Sequence, residues 1–141
     1  MYIDDLIKVT NDFYRKYWNI KNESPPQWSV NPWYFDGTIP NNTKRGCYAL
    51  FKDDELVYIG VGVGKSHGIY DGSGLGDRLK RYWKVNKDGN AYKKYKPTKD
   101  WTEELTSIMT IGFEEEHYHL AAALEIYLIK KLNPPRNSQH K

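Results

Sequence analysis

Ile3, Leu6, Ile7, Phe13 and Tyr17 recur at roughly helical spacing and predict a helix over residues 2–19, weakened in its middle by Thr10 and Asn11. Asn19 and Ser24-Pro25-Pro26 end it. Residues 25–42 scatter Trp28, Trp33, Tyr34 and Phe35 among Pro, Gly and Asn, which predicts an irregular arm with one short strand at 33–35. Those aromatics read either as core anchors or as a base-stacking platform. Residues 46–51 and 55–60 are β-prone runs around the polar Lys52-Asp53-Asp54, an antiparallel hairpin. Beyond Gly60 the chain is glycine-rich to Gly76 and predicts neither strand nor helix. Residues 77–83 read as a short helix with Leu79 and Trp83 on one face and Arg78 and Tyr82, four apart, on another. Residues 86–100 are polar, basic and without a clear element, and 105–113 predict a third strand.

The most regular stretch is 117–132. Leu120, Leu124, Leu128 and Leu132 stack along one helical face, with Ala121 and Glu125 in the adjacent stripe. Glu114 to Glu116 are expected to open this helix, where acids meet the positive end of its dipole. Asn133-Pro134-Pro135 stops it, and an extended tail carries Asn137. Glu125 is therefore a carboxylate at the margin of a buried face, either paired with a surface lysine or holding a cation.

Composition narrows the class. A chain of 141 residues, 39% hydrophobic, is long enough for one core, and no apolar run reaches the length of a membrane span. The expectation is one domain over 1–141, with a helix and arm over 1–42 preceding a core over 43–141. A lone cysteine, Cys47, and an N-terminus without secretory character predict a reducing, cytoplasmic setting away from membranes. The net charge of +3 is small, but from Arg78 to Lys99 nine Lys or Arg face one acid, Asp88, with Tyr82, Trp83, Tyr92 and Tyr95 between them. That local imbalance suits a polyanion.

Two chemical motifs fail on spacing. Gly60-Val-Gly-Val-Gly-Lys65-Ser66 ends like a phosphate-binding loop, but Ile59 stands where the first glycine is required, and no helix pattern follows. His117, His119 and Glu125 lack the spacing of a zinc site, since His119 points away from the other two.

A third set succeeds in combination. Gly46-Cys47-Tyr48, Tyr58-Ile59-Gly60, Gly76 to Tyr82, Leu124 to Ile129 and Asn133 to Asn137 together, in that order, resemble the GIY-YIG nuclease family. The literal Gly68-Ile69-Tyr70 follows the Tyr58-Ile59-Gly60 strand and reads as coincidence. Departures from the family pattern are Cys47 for the usual Ile, a longer glycine-rich loop before Arg78, and Tyr82 where many members carry His. The resemblance implies an α+β fold with a small three-stranded antiparallel sheet flanked by helices. It also implies a metal-dependent DNA endonuclease hydrolysing phosphodiesters, of phage, restriction or mobile-element type; the tail is similar to that of small phage members. Glu125 would hold one Mg2+ or Mn2+ ion, Arg78 would clamp a phosphate oxygen, and Tyr48 would orient or deprotonate water. Tyr58 and Tyr82 would support Tyr48, Asn137 would brace the helix end or a catalytic side chain, and Lys65 would stand close by. Lys80, Arg81, Lys84, Lys93, Lys94 and Lys96 would track double-stranded DNA. A homodimer would let one site per chain cut both strands. The alternative is a nucleic-acid-binding module that keeps the scaffold without catalysis.

Overall fold

The structure is a computed structural model and describes residues 1–64, 74–85 and 95–141. These residues form a mixed α/β arrangement of three α-helices, a three-stranded antiparallel sheet and a separate two-stranded ribbon. Helix α1 spans Ile3–Tyr17, and strands β1 (Arg45–Lys52) and β2 (Glu55–Gly62) form the expected hairpin. Asp53 and Asp54 both take positive φ, 48° and 70°, which matches the right-handed twist of the flanking strands. β5 (Ser107–Phe113) lies on the other side of β1, giving the order β2-β1-β5, and every one of its residues is buried.

The sheet separates two apolar layers. On one face Cys47, Phe51, Ile59 and Ile111 meet Leu6 and Phe13 of α1 and Leu124 and Leu128 of α3 (His119–Leu132). On the other, Tyr48, Leu50 and Ile108 meet Leu75 and Leu79 of α2 (Gly74–Leu79) together with Tyr82 and Trp83. Buried Cys47 serves as a small apolar residue, its thiol donating to the Ala121 carbonyl at 3.1 Å.

The N-terminal segment belongs to this packing. Thr10 is buried rather than disruptive: its hydroxyl donates to the Leu6 carbonyl and accepts from Trp28 Nε1 at 2.8 Å, pinning the arm to α1. Trp28 and Trp33 are buried, as core anchors would be, whereas Tyr34 is exposed. In place of a strand over 33–35, Trp33 alone bridges Ile108 on the open edge of β5.

Four expectations need correction. Strand β2 continues through Gly62, because Gly62 pairs with Gly46 and Gly60 with Tyr48, so the first glycines beyond Ile59 are strand rather than loop. The helix expected over 77–83 begins earlier and ends at Leu79; Tyr82 lies beyond it, so Arg78 and Tyr82 do not share a helical face. Trp83–Val85 is instead strand β3, paired with β4 (Tyr95–Pro97) in a ribbon that the basic composition of 86–100 concealed. Glu115–His117 forms a separate 3-10 turn, and α3 opens only at His119. At its far end α3 stops where expected, with Asn133 in the left-handed conformation at φ 50°. No helix among the described residues is long and apolar enough to cross a membrane.

Candidate active site

The site forms where β1, β2 and α2 converge. Tyr48, fully buried, places its hydroxyl 3.0 Å from that of Tyr82 and 3.4 Å from Arg78 Nε, which donates to it. The rings of Tyr48 and Tyr58 lie near-parallel with centroids 6.1 Å apart, and Tyr82 meets both edge-on or tilted. Three phenols and one guanidinium thus form a single cluster, although Arg78 and Tyr82 reach it from different local structures.

Two irregularities of β2 create this geometry. Leu50 pairs with Tyr58 and Phe51 with Leu56, so Val57 is an extra residue in β2. In a regular strand Leu56 and Tyr58 would share a face; with the bulge, Leu56 enters the α1/α3 layer and Tyr58 turns to the side of Tyr48. The second is Gly60. A Cβ there would lie 2.2 Å from the Tyr48 ring, so the ring rests directly on the β2 backbone because no side chain intervenes.

Arg78 is delivered by a similar close approach. A Cβ on Gly62 would meet the Gly74 carbonyl oxygen at 2.5 Å, and the reciprocal contact is equally short, so the two glycines let α2 lie on the end of β2. Val61 to Gly64, Gly74, Arg78 and Arg81 line a cleft of about 310 Å3 there. Its walls are mostly backbone and glycine, and among the described residues its charged side chains are both arginines.

The tail completes the arrangement. Asn137 is buried and uses both ends of its amide on one residue: Oδ1 accepts from Ile59 N at 3.0 Å and Nδ2 donates to Ile59 O at 2.8 Å. The Arg136 N–H donates to the Val57 carbonyl. The tail therefore covers the outer edge of β2 on either side of Tyr58, bracing a strand rather than the end of α3.

Electrostatics distinguish the members. Burial pushes the Tyr48 phenol well above its ordinary value, reinforced by Tyr82 and Tyr58 and opposed by the Arg78 hydrogen bond. Tyr58 is partly exposed and pushed up to about 12, chiefly by burial and by Tyr82. Both are neutral donors near pH 7, and of the two only Tyr58 has access to solvent. Burial works against the Arg78 charge, but the bond to Tyr48 and the neighbouring tyrosines outweigh it and keep Arg78 cationic. Glu125 is partly buried; desolvation raises its pKa, while His140 and Arg78 pull it down. Among the described residues its carboxylate has no ion-pair partner within 4.0 Å.

Of the surface cations expected along a polyanion, Arg81 and Lys96 are exposed, and Lys84 and Lys96 are register partners across the ribbon. Lys80, just past the end of α2, is exposed as well. Lys65, Lys93, Lys94 and the Gly68-Ile69-Tyr70 string lie outside the described residues.

Sequence reasoning overlooked Trp101 and Arg136. Trp101 sits with its ring centroid 5.7 Å from both Tyr58 and Tyr82, and Arg136 lies over it at 5.8 Å. Trp101 follows a stretch with no readable element, so only its proximity to Lys99 in sequence could have drawn notice. His117 is not a ligand partner of Glu125 but pairs with Glu23 at 2.7 Å, tying the segment after α1 to the 3-10 turn before α3, with Glu116 at 3.9 Å. Comparison with known proteins gives no identification: no family model matches the chain, and neither curated proteins nor solved structures give a significant match.

Proposed function

We propose that this cluster is the active site of a cation-assisted phosphodiesterase. More narrowly, we read the chain as a DNA endonuclease of the GIY-YIG type, with the hairpin β1/β2, α2, β5 and α3 as its core. The observation that carries the reading is the convergence of Tyr48, Tyr58, Tyr82 and Arg78, together with the Asn137 brace on Ile59, from segments up to 89 positions apart.

Each residue then has a defined task. Arg78 is held in place by Tyr48 and presents its remaining N–H groups to a phosphate oxygen in the arginine-lined cleft, where a planar fork suits a phosphodiester. Tyr58, the solvent-accessible phenol, orients the attacking water by hydrogen bonding. Tyr48 acts as the positioning residue that fixes Tyr82 and Arg78, since its own hydroxyl is enclosed. Both phenols are held protonated, so deprotonation of water falls to bulk base or to a group brought in with substrate.

Glu125 fits a divalent cation: it is a half-enclosed carboxylate whose ionisation is disfavoured by burial and which a cation would compensate. A Mg2+ or Mn2+ ion bound there would supply Lewis-acid stabilisation of the departing oxyanion. Arg81 at the cleft and the exposed Lys80 and Lys96 would be the cations that meet the backbone of double-stranded DNA. A homodimer would account for double-strand cutting. The test is cleavage of duplex, branched and single-stranded DNA with Mg2+. Wild type is expected to cut at least one of them and Glu125→Ala none; equal backgrounds would end the nuclease reading and leave a binding module.

A further inference from the structure

We infer that Trp101 receives an unstacked nucleobase next to the scissile phosphate, so that the preferred substrate is DNA carrying an unpaired nucleotide at the cut. This inference rests on the nuclease reading.

Trp101 stands in the 3-10 turn Asp100–Glu104, which meets the tyrosine cluster through Thr102 and the indole itself. Buried Thr102 donates its hydroxyl to the Lys99 carbonyl at 2.7 Å, lies 3.5 Å from the Tyr82 carbonyl and accepts from the Lys99 N–H. The indole is thereby held against Tyr58 and Tyr82 while remaining partly exposed. Arg136 over the indole and Lys99 over the Tyr82 ring, 5.6 Å away, add cationic edges.

The charges of the turn itself decide what it meets. Asp100, Glu103 and Glu104 are exposed on it, and Glu104 also lies 3.8 Å from Arg136 and 3.5 Å from Lys52. Glu104 is compensated by Arg136 and Lys52, but the exposed Asp100 and Glu103 deny the turn a continuous positive rail, so the DNA backbone runs past Arg78 and Arg81 instead. What an indole among acids accepts is an uncharged aromatic face. A base offers that face only when it leaves the duplex stack, which costs least where it is already unpaired.

Binding is measured with the full chain in EDTA, on an intact duplex and on the same duplex carrying a one-nucleotide bulge. The bulged DNA is expected to bind about tenfold tighter, within the range of one base–aromatic stack. Trp101→Ala should erase that preference, and Trp101→Phe should keep most of it. With the native tryptophan, 2-aminopurine at the bulge should be quenched on binding. Equal affinity for the two DNAs, a preference that survives in folded Trp101→Ala, or a 2-aminopurine signal that brightens would each overturn the inference. Mg2+-dependent cutting by wild type without bulge preference sinks the inference alone; absence of cutting with quenching intact sinks the nuclease reading, and with it the placement at a cut, leaving only base stacking on Trp101.

Discussion

Glu125 ionises against the desolvation imposed by its place on α3, and that sets a pH dependence with a definite sign. Its folded-state pKa is raised above the ordinary carboxylate value of about 4.3, so the folded chain holds the proton more tightly than the unfolded one. Its contribution to stability is full below the unfolded pKa and is lost as pH rises through the folded pKa. Glu125→Gln removes the charge and keeps the shape. The variant is expected to match wild type in melting temperature at pH 4 and to exceed it by about 1–2 °C at pH 7, seen by thermal unfolding in EDTA. Equal midpoints at both pH values would mean the carboxylate is already compensated. Gly60 makes a different prediction. Because Tyr48 fills the space a Cβ would take, Gly60→Ala is expected to cost about 1–3 kcal/mol in urea unfolding and to lower cleavage more than the lost fold accounts for. A neutral substitution would show that the ring has room to move. Gly60 and Tyr48 were both recognised as residues of interest in the sequence, but their contact was not: pairing register, which puts one opposite the other, is a property of the sheet.

At the scale of elements, the long amphipathic segments were readable and the short ones were not. Helix α1, the β1/β2 hairpin and the stop of α3 at Asn133 follow from apolar periodicity and turn chemistry that act locally. The three-residue strands β3 and β4 depend on each other and on the buried Trp83, so nothing within the basic segment announces them. Helix α2 is likewise placed by the Gly62–Gly74 approach, a contact between segments. The bulge at Val57 has no composition of its own, yet it decides which way Tyr58 points. The tail holds that bulge in place, and this can be measured. Asn137→Ala leaves the Ile59 N–H and C=O without their amide partner and is expected to destabilise by about 1–3 kcal/mol. Amide exchange at Ile59 should accelerate markedly, while amides within α1 change only by the global loss of stability. Uniform acceleration throughout the chain would indicate that Asn137 supports the whole fold rather than β2.

For the molecule as a whole, the two sides of the sheet have separate duties. The α1/α3 layer is apolar and carries Leu6, Phe13 and Leu128 in a continuous core, whereas the opposite layer is rich in tyrosine and tryptophan and opens onto the arginine cleft. Glu125 stands at the boundary, partly enclosed by the first and electrostatically coupled to Arg78 of the second. The ordered set Tyr48, Tyr58, Arg78, Glu125 and Asn137 was legible because residue type and order are written in the chain. Trp101 and the arm's anchoring through Trp28 were not, since both depend on segments that lack periodicity. The central claim is that this convergence hydrolyses DNA with a divalent cation at Glu125. Its most direct test is Mg2+ titration of supercoiled plasmid cleavage by wild type and by Glu125→Gln, both verified as folded by circular dichroism. The account predicts Mg2+-dependent nicking or linearisation by wild type, abolished by EDTA, and a drop of about a hundred- to a thousandfold in Glu125→Gln, the scale of losing a group that stabilises transition-state charge. Cleavage by Glu125→Gln at the wild-type rate, or no cleavage by wild type at any Mg2+ concentration, would contradict it.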